Sequence, residues 1–414
     1  MKKLLIVEDS LMVLKIIKHV FSNSRHLELH FAESFAQAKE LLEREGEWFA
    51  SLIDLNLPDA PNGEVVDYVL SKNIPTIVLT GSFDEERREL LLAKGIVDYV
   101  TKEGKFSYEY ALGVVNRLIK NQSTHVLVVD DSQTSRQFVC NLLQRHLFTV
   151  HEAVDGVQAV KVLLGNPQIK LLITDYNMPR MDGFELVKNL RCKYEKTDLV
   201  IIGISSEGDD MLSAKFIKNG ANDFLKKPFN HEEFHCRVSH SIELLELVEQ
   251  IKDSASRDDL TGTYNRKYFF ELAGKKYIEA KENQNVMSVC VLDLDGFKEI
   301  NSRYGNDVGD LIIQHVANRF VKLFDKFVLA RAGGEEFFVC MPGLNSEQAC
   351  AFVEKVRQIV SAEKMDMIDD ATSMTFSAGV SSKSGNNLDE QLINASLCLK
   401  RAKEAGGDLV FGDD

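Results

Sequence analysis

The stretch KKLLIVEDS at residues 2–10 decides the first part of the fold, because a closely similar stretch, THVLVVDDS, follows at residues 124–132. Each is a short apolar run that ends in two carboxylates, Glu8 and Asp9 in the first copy and Asp130 and Asp131 in the second. Three more pairs of segments recur in the same order, namely 51–58 with 171–179, 76–82 with 200–206, and 97–102 with 222–228. This part of the chain therefore consists of two copies of one domain.

Segments with the apolar spacing of helices separate these strands, for example LMVLKIIKHVF at residues 11–21 and SRQFVCNLLQRHL at residues 135–147. Alternating strands and helices predict an α/β, doubly wound, flavodoxin-like fold, in which helices cover both faces of a parallel sheet. Functional residues of such sheets gather beyond the carboxyl ends of the strands. Besides the acidic pairs, the positions repeated there are an aspartate, a hydroxyl and a lysine: Asp54 and Asp175, Thr80 and Ser205, Lys102 and Lys227.

This set of side chains suits phosphoryl transfer to an aspartate. Two or three carboxylates at one sheet edge repel each other unless a hard cation such as Mg²⁺ neutralises them. The central aspartate can then attack a phosphoryl donor, while the hydroxyl and the lysine hold the transferred oxygens. Aspartates that merely cap strand ends would explain one of these positions but not the whole set in both copies.

Both copies resemble the receiver domain of two-component response regulators, and DYNMPRMDG at residues 175–183 with KKPF at residues 226–229 makes the second copy the closer match. The resemblance implies phosphorylation of Asp54 and Asp175 by a sensor histidine kinase or a phosphotransfer protein. It also implies one Mg²⁺ per receiver, with ligands among Glu8, Asp9, Asp54, Asp130, Asp131 and Asp175. The implied switch residues are Thr80, Tyr99 and Lys102 in the first copy and Ser205, Phe224 and Lys227 in the second.

The first copy departs from the family pattern at two places. DLNLPDAPNG at residues 54–63 contains one extra residue, and Glu103 stands where the family has a proline after the lysine. Receivers commonly hold that lysine–proline bond cis, and residues other than proline rarely take the cis form. We therefore expect Lys102 to be placed differently from Lys227.

Length and composition set the broad class. A chain of 414 residues is long enough for roughly two to four domains, and 44% hydrophobic with 27% charged residues is typical of globular proteins. The net charge of −14 argues against general nucleic-acid binding, which needs basic patches for phosphates. No apolar run approaches the roughly 18 residues of a membrane span. The seven cysteines lack metal-ligand spacing and fit a reducing compartment. We expect a cytoplasmic protein without membrane or nucleic-acid partners.

A segment without glycine or proline follows the second copy, at residues 231–259. Within it, Leu244, Val248, Ile251 and Ala255 have the spacing of a coiled-coil seam. The pattern predicts a helical stalk that passes receiver dimerisation to the next domain; the alternative is a terminal helix that packs on its own domain. The predicted boundaries are 1–121 and 124–243 for the two receivers, 244–257 for the stalk and 258–414 for the last domain.

The last domain contains RAGGEEFFV at residues 331–339, where a Gly-Gly pair between two apolar runs predicts a hairpin. A second apolar run, at residues 286–292, ends in Asp293-Leu294-Asp295. If this strand neighbours the hairpin, Asp293 and Glu335 meet at one sheet edge, where paired carboxylates suit two divalent metals. The glycines would let a nucleotide approach the backbone closely. The alternative is that the two glutamates are solvated turn residues.

Residues 258–414 resemble the GGDEF family of diguanylate cyclases, with the motifs DDLTG, DLDGFKEIN, GNDVGD, RAGGEEF, TFSAGVS and AKEAG in order. The resemblance implies an α/β domain with a central, mostly antiparallel sheet, which joins two GTP molecules into cyclic di-GMP and releases two pyrophosphates. It implies two Mg²⁺, or Mn²⁺, per GTP site, held by Asp293, Glu335 and the Leu294 carbonyl. Glu335 would also be the base for the 3′-hydroxyl, with Glu336 as a supporting carboxylate. The implied substrate contacts are Lys298, Asn301, Asn306, Asp310, Gly333, Gly334 and Lys403.

Three departures bear on activity. Asn306 replaces a common family histidine and can still hydrogen-bond, whereas Gly407 replaces a phosphate-binding arginine, so we expect weakened GTP affinity. Phe324 and Phe327 occupy the positions of the Arg-x-x-Asp that binds inhibitory product in the family, so we expect no product brake. Because the product is symmetric, we expect catalysis by a homodimer. The alternative function is a degenerate GGDEF module that binds GTP or partners without catalysis.

Overall fold

The computed structural model describes residues 1–22, 24–44, 46–206, 210–363, 374–383, 385 and 387–413. The chain divides into two compact units, Met1–Val248 and Glu249–Asp414. Within the described ranges, no helix has both the length and the apolar character needed to cross a bilayer.

The first unit contains two five-stranded parallel sheets, as the repeat predicts. The strands of the first sheet are β1 (Lys2–Val7), β2 (Leu27–Ala32), β3 (Ala50–Asp54), β4 (Thr76–Thr80) and β5 (Asp98–Thr101), in the order β2-β1-β3-β4-β5. Its helices are α1 (Leu11–Phe21), α2 (Phe35–Arg44), α3 (Glu64–Ser71), α4 (Glu85–Lys94) and α5 (Lys105–Asn121). Apolar clusters cover both faces of the sheet. We call these elements the first receiver-like domain.

The second receiver-like domain repeats this arrangement. Its strands are β6 (His125–Val129), β7 (Thr149–Ala153), β8 (Ile169–Asp175), β9 (Val200–Ser205) and β10 (Asp223–Lys226), in the order β10-β9-β8-β6-β7. Its helices are α6 (Gln133–Arg145), α7 (Gly156–Gly165), α8 (Gly183–Arg191), α9 (Asp210–Lys218) and α10 (His231–Ser256). The repeated serine after each acidic pair starts the next helix, because the side chains of Ser10 and Ser132 accept backbone N–H groups of α1 and α6.

The predicted seam lies on α10. Leu244 and Ile251 are 50% and 66% exposed, Ala255 is exposed and Val248 is half-buried. On another face of the same helix, Leu245 packs in the core of the second receiver-like domain. The helix therefore buries one side in its own domain and keeps an apolar row at its surface.

The two receiver-like domains contact each other within the first unit. Arg117 on α5 makes a two-pronged ion pair with Glu246 on α10, at 2.8 and 3.0 Å. Arg88 on α4 pairs with Glu232, with one contact of 2.8 Å. A cavity of about 470 Å³ lies between the domains, and the stacked rings of His146 and His235 form part of its wall, with centroids 3.5 Å apart.

The second unit is built on a mixed sheet. Its strands are β11 (Tyr264–Asn265), β12 (Met287–Leu294), β13 (Val328–Gly333), β14 (Glu336–Pro342), β15 (Phe376–Ser381) and β16 (Val410–Gly412), in the order β11-β13-β14-β12-β15-β16. Its helices are α11 (Arg266–Glu282), α12 (Phe297–Tyr304), α13 (Asn306–Leu323), α14 (Ser346–Ser361) and α15 (Leu388–Glu404). The central strand β12 is antiparallel to β14 and β15, while the edge strands β11 and β16 pair in parallel. The expected mostly antiparallel sheet is confirmed.

Candidate functional sites

The acidic residues of the first receiver-like domain meet at the carboxyl edge of its sheet. Glu8 directly follows β1 and Asp54 ends β3, and these two strands are neighbours. Among the residues that the structure describes, Glu8, Asp9 and Asp54 are the one group of three acidic, histidine or cysteine side chains whose ligand atoms all lie within 4.8 Å of one another. Lys102, which follows β5, places Nζ 2.7 Å from carboxylate oxygens of both Glu8 and Asp54.

Burial and charge oppose each other in this cluster. Burial raises the pKa of Glu8, although the neighbouring Lys102 ammonium works against that shift. Burial also disfavours the charged form of Lys102, but hydrogen bonds to Asp54 and Glu8 outweigh it and raise the pKa of the lysine. The cluster thus contains the carboxyl groups of Glu8, Asp9 and Asp54 and one ammonium, that of Lys102. A hard cation would balance this surplus of negative charge.

The expectation that Lys102 is placed differently from Lys227 is wrong. The Lys227–Pro228 bond is cis, and it is the one cis bond in the part of the chain that the structure describes. Both lysines nevertheless extend the same strand pairing, because the Lys102 N–H donates to the Thr80 carbonyl at 2.7 Å and the Lys227 N–H to the Ser205 carbonyl at 2.8 Å. This shared backbone anchor directs both side chains to the acidic cluster of their own domain.

The second receiver-like domain presents the same arrangement with one addition. Lys227 Nζ lies 2.9 Å from Asp130 and 2.7 Å from Asp175. It also contacts Ser135 Oγ at 2.8 Å, and that hydroxyl in turn donates to Asp130 at 2.5 Å. Burial raises the pKa of Asp175 while the lysine opposes the shift. Asp131 is exposed. Ser135 was missed by the sequence reasoning, because its counterpart in the first copy is an apolar residue.

The predicted switch residues lie beside these clusters. Thr80 and Tyr99 both donate their hydroxyls to the Ser82 carbonyl, at 3.0 and 3.4 Å. Ser205 is buried at the end of β9, and Phe224 is half-buried against the core of the second receiver-like domain. In both copies, the hydroxyl residue therefore ends the strand next to the one that ends in the aspartate.

The predicted hairpin of the second unit is present between β13 and β14. Gly333 and Gly334 have φ angles of +145° and +54°, in the region that favours glycine. Arg331 fixes the turn, since its Nε donates to the Gly334 carbonyl at 2.9 Å and its Nη1 lies 3.0 Å from Asp258 Oδ1. The sequence reasoning used both motifs but missed this pair, because no local pattern connects residues that far apart in the chain.

The hairpin and the strand that carries Asp293 are neighbours, as expected. Asp293 stands opposite Glu336 in the antiparallel pairing of β12 with β14. The Leu294 N–H donates to the Glu335 carbonyl at 3.3 Å, which brings the turn onto the end of β12. Lys403 on α15 places Nζ 2.5 Å from Asp293 Oδ1. One edge of the sheet thus gathers three acidic side chains and one lysine.

The electrostatics of this edge reflect crowding of like charges. Burial raises the pKa of Asp293; Lys403 opposes this shift and the Glu335 carboxylate adds to it. Burial also raises the pKa of Glu336, with Asp293 adding to the shift and the Arg266 guanidinium opposing it. These carboxylates are therefore held where a cation would relieve their repulsion.

Asp295, by contrast, is fully engaged in structural hydrogen bonds. It accepts from the hydroxyls of Ser377 and Thr375, at 2.7 and 3.1 Å, and from the Asp408 N–H at 2.9 Å. Gly407 packs on it with a φ of +76°, and a Cβ added there would lie 3.3 Å from Asp295 Oδ1. The position at which the family has an arginine is thus a left-handed glycine against a carboxylate.

Four of the predicted substrate contacts lie on the α12–α13 helical hairpin. Lys298 on α12 and Asn306 and Asp310 on α13 are exposed, whereas Asn301 on α12 is half-buried. The side-chain Oδ1 of Asn301 is enclosed and has no hydrogen-bond partner among the described residues. The two helices meet at Gly305, whose φ is +87°.

The positions of the family's product-binding pair are filled by core aromatics. Phe324 is 1% exposed, and its ring and that of Phe327 lie 5.7 and 5.3 Å from the Phe352 ring. The nearby Lys322 and Asp325 are exposed, and α13 ends at Leu323, between them.

Comparison with known families agrees with this geometry. The model of the response regulator receiver domain matches residues 126–239, and that of the diguanylate cyclase GGDEF domain matches residues 255–408. A crystal structure of a putative two-component system response regulator/GGDEF domain protein is 42% identical, with a TM-score of 0.54, and is covered completely by 59% of this chain. The chain belongs to the response regulators that carry a GGDEF domain.

Curated relatives match different parts of the chain. The response regulator PleD of Caulobacter vibrioides is 27% identical over 299 residues, and the match covers 69% of this chain but only 65%, less than two thirds, of that relative. A chemotaxis protein CheY homolog of Campylobacter jejuni is 43% identical over 105 residues, which cover 25% of this chain and 81% of the homolog. The probable diguanylate cyclase DgcF of Escherichia coli is 32% identical over 177 residues, or 41% of this chain and 55% of DgcF.

Proposed function

We propose that this protein is a phosphorylation-regulated diguanylate cyclase that condenses two GTP into cyclic di-GMP and two pyrophosphates. The observation that carries the proposal is the pairing of Asp293 with the Gly-Gly hairpin, which gathers Asp293, Glu335 and Glu336 at one sheet edge. The glycines and acids of the turn are intact in this chain, which favours an active enzyme over a GTP-binding module without catalysis.

The residues of this edge fit the divalent metals that the reaction would need. Asp293, Glu335 and the Leu294 carbonyl offer only oxygen donors, which Mg²⁺ and Mn²⁺ prefer. The raised pKa of Asp293, caused by burial and increased by Glu335, marks a site with a surplus of negative charge. Two Mg²⁺ per GTP site, when bound, would supply neutralisation of the phosphate charge and activation of the attacking hydroxyl.

The remaining roles fall to the chain's own residues. Glu335 would accept the proton of the 3′-hydroxyl of one GTP. The oxygen of that hydroxyl would attack the α-phosphorus of the other GTP, and pyrophosphate would leave. Lys298 and Lys403 would contact the phosphates, while Asn301, Asn306 and Asp310 would bind guanine. Gly333 and Gly334, which lack side chains, would leave room for the nucleotide at the turn. Glu336 would be a supporting carboxylate next to Glu335.

Regulation would come from two receivers before the cyclase, a layout like that of PleD. Asp54 and Asp175 would be phosphorylated by a sensor histidine kinase or phosphotransfer protein, each with one Mg²⁺ held by its acidic cluster. The negative surplus in the first cluster supports this metal. Each cyclase domain offers one GTP site, so a homodimer is the simplest way to join two GTP. The exposed Leu244 and Ile251 on α10 are suited to pair with a second copy.

The activity is tested on the purified full-length protein with GTP and Mg²⁺, by following cyclic di-GMP. Glu335→Gln should abolish synthesis without changing the melting temperature, and Glu282→Gln, an exposed glutamate on α11, is the matched control. Guanine-nucleotide binding by wild type without any product would instead support the non-catalytic module.

Dimerisation and phosphorylation are tested in the same assay. Activity per chain should rise with protein concentration, and an acyl phosphate donor should shift that rise to lower concentration. Asp54→Asn and Asp175→Asn, separately and together, then report which receiver carries the effect. Constant activity per chain down to a dilution at which light scattering shows only monomer would contradict the dimer.

A further inference from the structure

The α12–α13 hairpin contains a close contact that the family resemblance does not explain. Gly309 on α13 is buried against the Asn301 side chain on α12. A Cβ added at Gly309 would lie only 1.9 Å from Asn301 Oδ1 and 3.0 Å from its Cγ. The Phe297 ring would be 3.1 Å away. The carboxamide of Asn301 therefore occupies the space that any side chain at position 309 would need.

The missing side chain at Gly309 determines the orientation of the Asn301 carboxamide. Its Oδ1 is enclosed at the bare α-carbon of Gly309 and has no hydrogen-bond partner among the described residues. With the oxygen enclosed, the amide NH₂ is the end of the side chain left to meet a ligand. A buried acceptor without a partner is costly, so packing rather than hydrogen bonding holds the group in this orientation.

We propose that Gly309 is a positioning residue for base recognition, because the absence of its side chain holds the Asn301 carboxamide toward the nucleotide. This inference rests on the proposed use of guanine nucleotides at this hairpin. Asp310, the next residue on α13, supplies a carboxylate that accepts from the donor groups of guanine and repels a base edge that offers only acceptors. Asn301 and Asp310 together would therefore select a base that offers both an acceptor and donors.

The contact allows a clean test, since the clashing atom is the end of a flexible side chain and not backbone. In Gly309→Ala the Asn301 carboxamide should rotate away while the helices stay in place. We expect KM for GTP to rise about tenfold, the loss of roughly one hydrogen bond to the base, with kcat nearly unchanged. Discrimination of GTP over ATP should fall by a similar factor.

Two controls separate positioning from general damage. Gly274→Ala on α11, where an added Cβ meets nothing within 4 Å, should leave KM and selectivity unchanged. In an Asn301→Ala background, Gly309→Ala should have no further effect on KM, because the group it displaces is gone. Circular dichroism and melting temperature should match wild type in each variant.

The outcomes also separate this inference from the proposed function. Equilibrium binding of GTP and ATP is measured beside synthesis for each protein. Selective GTP binding that Gly309→Ala weakens, in a protein that makes no cyclic di-GMP, would overturn the cyclase and keep the inference. Normal KM and selectivity in Gly309→Ala, or equal effects with and without Asn301, would overturn the inference and keep the cyclase.

Discussion

Acidification should loosen the first unit through His146, which lies in the wall of the cavity between the two receiver-like domains. Burial lowers the pKa of His146 to about 4, from an ordinary value of 6.5. The unfolded chain therefore binds more protons than the folded chain between these values. The stability that the neutral ring allows is complete above pH 6.5 and is lost as pH falls toward 4. His235, stacked on it, has its pKa lowered by burial in the same direction.

The size of the effect follows from the two pKa values of His146. Linkage gives a loss of about 2 kcal/mol in unfolding free energy between pH 7 and pH 5 from this ring alone. The assay is urea unfolding followed by the fluorescence of Trp48, the single tryptophan of the chain, which lies in the first receiver-like domain. Unfolding of that domain would expose His146, because the His146 carbonyl accepts a hydrogen bond from Asn121 Nδ2 of that domain, at 2.9 Å.

Carboxylates elsewhere also titrate over this range, so the test compares two proteins. His146→Phe keeps an aromatic ring on His235 but cannot be protonated. Wild type should lose about 2 kcal/mol more than His146→Phe on going from pH 7 to pH 5. The same pH dependence in both proteins would refute the reasoning, because burial of the histidine would then have no consequence for folding.

Two further predictions concern the second unit. Arg331→Ala should lower kcat about tenfold or more, because it releases the hairpin, and Asp258→Ala should have the same effect. The double variant should be no worse than either single variant. Additive losses of kcat in steady-state kinetics would show that the two residues do not act as one anchor. The initial rate should be insensitive to added cyclic di-GMP at saturating GTP, because Phe324 fills the core position where a product-binding arginine would stand. Strong inhibition that disappears in Lys322→Ala would instead reveal a site at that exposed lysine.

Much of this architecture could be predicted from the sequence, because it is written in local patterns. Apolar runs that end in Glu8-Asp9 and Asp130-Asp131 fix both the repeated strands and the edge at which their acids meet. The Gly-Gly pair predicts its hairpin for the same reason, since positive φ angles have a local signature. The neighbouring position of Asp293 needed only the assumption that its strand lies beside the hairpin, and β12 does pair with β14, the second strand of that hairpin.

The features that the sequence did not reveal depend on contacts between different segments of the chain. Arg331 pairs with Asp258 across many residues, and neither side chain carries a local mark of its partner. The expected position of Lys102 was wrong because it was inferred only from the residue that follows it. The backbone hydrogen bond from Lys102 to Thr80 positions the lysine instead. The Gly309–Asn301 contact was invisible because it depends on the distance between two helices.

The backbone at Gly407 constrains which residues can occupy that position. By the family resemblance, an arginine at that position would supply a phosphate contact. Its backbone would then have to adopt a φ near +76°, and its Cβ would press on the hydrogen-bonded Asp295. An arginine at position 407 would therefore strain this turn, so the identity of the residue and the conformation of the turn are coupled.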